Sequence, residues 1–556
     1  MIKLDKKNID DIFALTPMQE GMLFFYLKDP NSEAYFEQLS LEIAGTMDNE
    51  VFENAWNFVI QTNEMLRAVF CWEKVEQPIQ IILKEHRLQP RYFDLSEKDN
   101  CLKKNSLEKI KTKDRKEKFD LREIPFRITL CKVEADKYEM IISNHHILYD
   151  GWSNSIILGE FLSAYNDLTE GKLLKPQVKT KFKEFVKWLK DQDTKKQEES
   201  CKEYLSGFKA RGEHPVKRYK RIEISETGNH HIKLAPGMKN KLEAFVRSRN
   251  ITMASLLYSA WGLLLQHYNF TNDVLFDITV SGRTAKVKKI ENMVGLFINT
   301  LPVKVQSKPG EKISHFLSRM HHMLQSIENY SPLCINEDFQ ECLQQNLFDS
   351  VLVLENYPLD RILVQENGPL TINSFEISGM TRYDLTVIIT LFDDIEFSIT
   401  YDKDLFEEAV ISGWGDRLIR IVEEMVNNPV KNVGEIKVLS GEKREAFLEQ
   451  VTAWQGVESA VEVDYTAPRG DVEQKLADIW SEVLNIDSQV IGIDHNFFDY
   501  RGHSLKASLM ASAIHKEFQV KIPLGEIFRG PTIRELAAFI DKKTGNDHGY
   551  ESIETT

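Results

Sequence analysis

Apolar positions along the chain keep two rhythms, and the switches between them mark out the elements. Tyr138-Glu139-Met140-Ile141-Ile142-Ser143 is a short apolar run of the buried-strand kind. Residues 39–45 alternate and end in Gly45, which predicts a strand closed by a turn. Val51, Phe52, Ala55, Trp56, Phe58 and Val59 then recur at helical spacing. Thr16 is placed to cap a helix whose first turn holds Pro17, Gln19 and Glu20. Beyond the 138–143 run, apolar residues at 156–165 predict a helix, and Phe182, Phe185, Val186, Trp188 and Leu189 have the spacing of core packing.

A lysine-rich polar stretch over 190–235 reads as a crossover into a second lobe that begins near Ile232. That lobe is predicted to hold helices at 239–247 and 253–268 and a strand at 273–280. Ser281-Gly282-Arg283 turns the strand, an apolar segment follows over 293–302, strands are predicted at 385–391 and 395–401, and a helix at 410–427. The mixed-charge run over 103–118 predicts a solvated helix face with no function. Residues 445–470 have linker composition. Val472, Leu476, Ile479, Trp480, Val483 and Leu484 share one face of a helix predicted over 471–485. Leu505, Leu509, Ala513, Ile514 and Phe518 predict another helix, opened by Ser504. The tail after Asp541 is polar, as disordered termini are.

At 556 residues the chain exceeds one ordinary core, so roughly two to four domains are expected. A formal net charge of -15 argues against nucleic acid as a partner, which wants a basic surface. Six scattered cysteines without a Cys-x-x-Cys pair argue against a zinc ribbon or a disulfide framework and fit reduced cytoplasmic thiols. The first residues lack the apolar core of a signal peptide, and no apolar run is long enough for a membrane span.

Chemistry concentrates in His145-His146-Ile147-Leu148-Tyr149-Asp150-Gly151. Side chains alternate along a strand, so adjacent histidines at its end point to opposite sides: one can face a cleft while the other packs inward. Imidazole is the group best suited to take or position a proton near neutral pH. Asp150 could orient that ring, or anchor the loop by pairing with an arginine, and Gly151 helps turn the chain. Arg67 lies in the apolar stretch Met65-Leu66-Arg67-Ala68-Val69-Phe70 and needs a partner there; an Arg67–Asp150 salt bridge is the expectation, with Arg283 the next candidate. Asn299, among apolar neighbours, would be a buried polar group bonding across a cleft floor or to backbone. The pairs His230-His231 and His321-His322 lack the Asp-Gly context and read as structural or exposed. Ser504 at a helix start is by itself an ordinary cap.

The His-His-x-x-x-Asp-Gly pattern after an apolar strand resembles the signature of the condensation-domain superfamily of nonribosomal peptide synthetases, whose relatives include chloramphenicol acetyltransferase-like acyltransferases. The resemblance implies that His146 is the active-site histidine, that Asp150 is structural, and that the Gly151 N–H approaches the substrate or its developing oxyanion. Leu15-Thr16-Pro17-Met18-Gln19-Glu20-Gly21-Met22-Leu23-Phe24 looks like the opening motif of condensation domains whose donor ends in a D-residue, and residues 1–12 look like an acceptor docking segment. The second motif matches in part: Thr62-Asn63 stands where Arg-His is usual, and Arg67 is retained. Residues 182–189, 293–302, 328–333 and 348–358 resemble later motifs in the family's order. Asp499-Tyr500-Arg501-Gly502-His503-Ser504-Leu505 resembles the phosphopantetheine site of peptidyl carrier proteins, with Arg501 where glycine is usual; Pro523-Leu524, Ile527-Phe528, Pro531-Thr532-Ile533 and Leu536 match downstream.

By that resemblance the fold is α/β: two chloramphenicol acetyltransferase-like lobes, over 13–175 and 176–450, in a V-shaped pseudo-dimer. A linker over 451–468, a small four-helix carrier domain over 469–545 and a polar tail over 546–556 follow. The implied reaction is amide formation between an upstream peptidyl or aminoacyl thioester and an aminoacyl thioester on the downstream carrier. The implied cofactor is 4′-phosphopantetheine on Ser504. The implied partners are an upstream synthetase carrier, with an epimerization domain before the transfer if the donor is a D-residue, and a phosphopantetheinyl transferase. No Gly-rich adenylation motif stands between the two parts, so either an adenylation domain acts in trans or the chain is an excised part of a longer one. Epimerization of a carrier-bound residue, ester-forming acyl transfer and a non-enzymatic docking platform are the alternatives.

Overall fold

The computed structural model describes residues 6–28, 34–73, 75, 77–176, 178–192, 204, 227–268, 271–330, 350–355, 368–379, 383–391, 394–436, 465–484, 486–497, 504–522, 526–527 and 530–544. The chain divides into two units: Met1–Gln19, Glu33–Cys71 and Ile79–Glu458 form the larger, and Glu20–Ser32, Trp72–Pro78 and Ser459–Thr556 the smaller.

The larger unit is built on three sheets. A small one has the order β1-β4-β3, from Ile9–Ala14, Ile79–Leu83 and Ala68–Cys71. The second places β12 (Leu370–Gly379), β2 (Phe36–Gly45), β7 (Lys137–His145), β6 (Phe126–Glu134) and β5 (Arg91–Asp94) side by side. The third runs β10 (Asn299–Gln306), β9 (Asp273–Val280), β11 (Ser350–Glu355), β13 (Leu385–Thr390), β14 (Glu396–Asp402), β8 (Thr227–Lys233). β11 pairs parallel with both β9 and β13, so two of its side chains reach the buried middle of the sheet at Val351 and Leu352.

β12 is the element the periodicity did not reveal. It lies in the second half of the chain yet completes the second sheet, whose other strands all come from residues 36–145, antiparallel to β2 from Leu370 opposite Gly45 to Gly379 opposite Glu37. Thr371, Asn373, Ser374 and Glu376 leave it without a clear apolar rhythm, and only Leu370 and Ile372 are buried. β2 in consequence is central, and its burial is nearly continuous rather than alternating, as expected for a strand covered on both faces.

Helix α2 (Asn49–Thr62) is capped by Asp48, whose carboxylate accepts from the Glu50 and Val51 N–H groups. Its apolar positions Phe52, Ala55, Trp56, Val59 and Ile60 are all fully buried. Trp56 stacks on Phe161 of α4 (Gly151–Thr169) at 4.6 Å between ring centroids. In the other half, the helix Met253–Tyr268 is apolar nearly all round and buried to match. A Cβ at its Gly262 would come within 2.5 Å of the Val305 side chain, so glycine is what lets the helix lie this close to β10.

The charged helix Asn100–Lys116 corrects the expectation of a merely solvated face. Lys111 and Asp114 are buried. Asp114 accepts from Arg127 Nε at 2.6 Å and Gln38 Nε2 at 2.7 Å, and Lys111 pairs with Glu139 at 2.9 Å. Charge that looks solvated in a list of residues is here buried against β2, β6 and β7, each member compensated by a partner across the contact.

The smaller unit contains the helices Asp471–Leu484, Ser504–Phe518 and Ile533–Thr544, with a helical fragment at residues 526–527 among the described residues. Leu476, Trp480, Phe497, Met510, Ile514, Ile527, Leu536 and Ile540 form their common core. Trp480 meets Phe497 edge to face at 5.1 Å. Several expected features lie outside the described residues: most of the linker (451–464), the polar tail, residues 331–333, 348–349 and 356–358 of the later motifs, Asp499, Arg501, Gly502, His503, Pro523, Leu524 and Phe528.

Candidate active site

β7 delivers the two histidines. His145 is its last residue, paired opposite Phe36 of β2, and is 5% exposed; its Nδ1 accepts from the Ile147 N–H at 3.2 Å. Burial, with the like charge of His146 beside it, pulls the His145 ring down to about 3. It therefore stays neutral at any working pH. His146 is the first residue of the turn after the strand, and its side chain keeps 23% exposure. Its N–H donates to the carbonyl of Tyr35 at 2.8 Å, and Tyr35 holds a left-handed φ of 64°. A strained residue thus sets the backbone of the reactive histidine.

The His146 ring meets Glu37, whose Oε2 lies 3.7 Å from Nε2. That is too long for a hydrogen bond. The other oxygen of Glu37 accepts from Asn154 Nδ2 of α4 at 2.8 Å. His146 Nδ1 is buried without a hydrogen-bond partner among the described residues. Glu355, the last residue of β11, is 8% exposed; burial, with the Glu37 charge added, pushes its carboxyl up to about 8. The sequence reading missed Glu37, Asn154 and Glu355. The available signal was a charged residue inside the apolar strand around Leu39-Ser40-Leu41, one residue from the paired position of His145.

Asp150 has a wholly structural set of contacts. It caps α4, its Oδ1 accepting from the Ser153 N–H at 3.1 Å and the Ser153 hydroxyl at 2.9 Å. Arg283 Nη2 donates to the same oxygen at 2.9 Å, and the Phe297 N–H donates to Oδ2 at 3.0 Å. Arg283 also donates to the carbonyls of Ile290 and Met293 and lies over the Phe297 ring at 4.3 Å. The Asp150 N–H in turn donates to Gly295 O at 3.1 Å. The histidine loop is thereby bound to the segment 293–297 from the second half of the unit. Gly151 is the first residue of α4 and is buried.

The expected Arg67–Asp150 bridge is not formed; the partner is Arg283. Arg67 donates instead to the carbonyls of Ile60 (3.2 Å), Leu83 and Lys84 (2.9 Å). Ile60 lies in the last turn of α2, whose carbonyls have no partner within the helix, and a guanidinium with five donors suits that cluster better than a distant carboxylate. Asn299 is 6% exposed, and its Oδ1 accepts from the Thr300 N–H at 2.8 Å, the backbone alternative of the two considered. It lines a cavity with Thr16, Met18, Phe185, Trp188 and Phe297; His146 is not among the walls of that cavity. The structure does not join Asn299 to the histidine through this space.

The opening motif does reach the site. Thr16 and Gln19 form a reciprocal capping box, Gln19 N–H to Thr16 Oγ1 at 3.2 Å and Thr16 N–H to Gln19 Oε1 at 3.0 Å. Gln19 Nε2 also donates to the carbonyl of Ile147 at 3.0 Å, the residue after His146. His231 is exposed and bonds Ser398, while His321 is buried and bonds Ser255, in keeping with the structural or exposed reading of those pairs.

Ser504 is the first residue of a 15-residue helix. A serine hydroxyl is the group that can form a phosphodiester, and a helix N-terminus favours the phosphate's negative charge, so this position fits a phosphopantetheine arm. Among the described residues no group of three side chains could hold a metal ion, and no helix is long and apolar enough to cross a membrane.

Two mixed sheets, one completed by a strand from the second half of the chain, with a partly exposed histidine just past a strand end, make an α/β fold of the condensation-domain type, and a small helical unit of the carrier type accompanies it. The family model for the condensation domain matches residues 9–448, and that for the phosphopantetheine attachment site matches residues 474–540. The chain belongs to the condensation-domain family of nonribosomal peptide synthetases, joined to a carrier domain of the phosphopantetheine-attachment type. It is 31% identical over 447 residues to tyrocidine synthase 2 of Brevibacillus parabrevis, covering 79% of this chain and 12% of that one. Surfactin synthase subunit 3 of Bacillus subtilis (strain 168) is 29% identical over 455 residues, covering 81% and 35%. The chain spans about a tenth of the length of the first curated relatives it matches. Among solved structures, the first condensation domain of the calcium-dependent antibiotic synthetase shares the fold with a TM-score of 0.65 at 15% identity, over 78% of this chain and all (100%) of that one. A four-domain nonribosomal peptide synthetase bound to AMP and glycine aligns with a TM-score of 0.63 at 15% identity, over 87% and 37%.

Proposed function

We propose that the larger unit forms an amide bond between two carrier-bound acyl groups at His146. The observation that carries this reading is the opposite fate of the two histidines: His145 sealed and neutral, His146 partly open beside a carboxylate. In the reaction the acceptor amine nitrogen bonds to the donor's thioester carbonyl carbon, the carbon–sulfur bond breaks, and the proton lost by nitrogen ends on the departing thiol. His146 holds or takes that proton through an imidazole nitrogen. Gly151, at the N-terminus of α4, offers its N–H to the oxygen as negative charge develops there. Thioester aminolysis is downhill, so holding the two groups in contact supplies much of the acceleration.

Ser504 is the attachment point in this reading; the arm there supplies a thiol that holds the acceptor as a thioester. The donor arrives on an upstream synthetase carrier, and the opening motif from Leu15 to Phe24 favours a donor ending in a D-residue, delivered after an epimerization domain, with residues 1–12 as the docking segment. A phosphopantetheinyl transferase modifies Ser504, and an adenylation domain in trans, or one outside this part of a longer chain, loads it. Scattered cysteines without pairing motifs fit a cytoplasmic setting.

The test loads donor and acceptor carriers chemically and follows both by mass spectrometry in deuterated buffer. An elongated thioester on the carrier of this chain supports condensation. Deuterium entering the donor residue without chain growth would instead establish epimerization.

A further inference from the structure

Glu37 is not explained by the fold. It is a buried carboxyl group near the start of β2, at the strand end that pairs with His145, 7% exposed, and it makes no ion pair with a lysine or arginine among the described residues. Its one side-chain hydrogen bond among the described residues, from Asn154, fixes Oε1 and leaves Oε2 facing Nε2 of the histidine 3.7 Å away. A buried charge without a cation is expensive, and a site that keeps one keeps it for a ligand or a reaction.

We propose that Glu37 is a second catalytic residue of the condensation reaction: with His146 it forms a two-point seat for the acceptor amine. The inference rests on the condensation reading above and assigns the acceptor side of that site. A primary amine has two N–H bonds and one lone pair. One N–H points to His146 Nε2 and the other to Glu37 Oε2. Two acceptors 3.7 Å apart can both be reached from a single nitrogen at ordinary hydrogen-bond length. The lone pair is then the only feature left to face the thioester carbonyl, so the seat orients the nucleophile as well as binding it. For Nε2 to accept, the neutral ring carries its N–H at Nδ1, which is buried without a partner among the described residues.

Two neighbours support the assignment. Asn154, on the helix that Asp150 caps, holds the carboxylate toward the histidine. Glu355 reaches the same region from β11, and burial beside the Glu37 charge pushes it up to about 8, so near neutral pH it keeps its proton. An alcohol has one O–H and would leave one of the two acceptors unfilled, which makes the seat selective for amines over hydroxyl acceptors.

The experiment measures binding of two soluble probes to the full chain by calorimetry. One is the amide isostere of glycyl-pantetheine; the other is its acetyl counterpart, identical but for the missing amine. The wild type is expected to bind the glycyl probe at least about tenfold more tightly, a difference typical of one charge-assisted hydrogen bond. Glu37→Gln, which keeps the shape and the oxygen facing Asn154, is expected to bring the two affinities within about threefold by weakening the glycyl probe alone. Glu37→Asp, which keeps the charge but withdraws it by one methylene, is expected to fall between them. An equal preference in wild type and Glu37→Gln, equal weakening of both probes, or no binding of either by the wild type would overturn the proposal. His146→Ala in the condensation assay keeps the two readings apart: lost product together with an unchanged probe preference in Glu37→Gln removes the amine seat and leaves condensation standing, whereas full product removes the condensation reading itself.

Discussion

Arg283 Nη2 donates to Asp150 Oδ1 at 2.9 Å, with the arginine side chain 5% exposed and the aspartate 0%. The pair joins two stretches 133 residues apart and fixes the loop that carries His146 to the turn after β9. Replacing either partner leaves the other charge buried and uncompensated, at a cost of about 3–5 kcal/mol. Asp150→Asn and Arg283→Met are therefore each expected to lower the denaturant midpoint of the larger unit, as followed by tryptophan fluorescence. The double variant should lose clearly less than the sum of the two, since it removes both charges at once. Additive losses would mean the two residues do not act as a pair.

A second prediction concerns Gly282. Its φ is +62°, and a Cβ there would stand 1.9 Å from the Phe297 carbonyl oxygen. Phe297 is the residue whose N–H holds Asp150 Oδ2, so the backbone cannot yield without releasing the histidine loop. Gly282→Ala is expected to cost more than about 2 kcal/mol in the same unfolding experiment, from left-handed strain and the clash together. A near-neutral effect would show that the turn relaxes without disturbing the loop.

Glu355 makes a prediction about pH. Its carboxyl is raised from the ordinary 4.5 to about 8 in the folded chain, chiefly by burial. The folded state therefore binds a proton that the unfolded state has released over that interval. Its contribution to stability is full below about 4.5 and is lost as pH rises through about 8. Stability of the wild type should fall across this window more steeply than that of Glu355→Gln, which has no proton to lose. Parallel stability–pH curves for the two proteins would place Glu355 in water instead.

The smaller unit carries its own test. Ser504→Ala is expected to abolish the mass increase that a phosphopantetheinyl transferase produces on the intact chain, while the helices Asp471–Leu484 and Ile533–Thr544 keep their thermal transition. A retained mass increase would move the attachment site to another residue.

The parts of this structure that were legible in the sequence are those with a strong local period. The helix Met253–Tyr268 and the strand Asp273–Val280 have the bounds their apolar pattern predicted, and of the two adjacent histidines one is buried and the other partly exposed, as expected. What was not legible depends on partners far along the chain. β12 has no apolar rhythm of its own and becomes a strand because β2 offers an edge. The sequence points Arg67 to Asp150 because a buried cation needs a partner, but carbonyls at the end of α2 and just after β4 satisfy it. Glu37 lies just before the strand predicted over 39–45, and its significance lies in Asn154 and His146, 117 and 109 positions away by their numbers, the former held at 2.8 Å.

The account rests on His146 acting at an open position on two tethered acyl groups. The most direct measurement is the rate of elongated thioester formation by the full chain and by His146→Ala, with chemically loaded donor and acceptor carriers. Loss of a group that positions or removes the amine proton predicts a fall of roughly 10²-fold or more, with the melting temperature of the larger unit unchanged. Elongation at the wild-type rate in His146→Ala would contradict it.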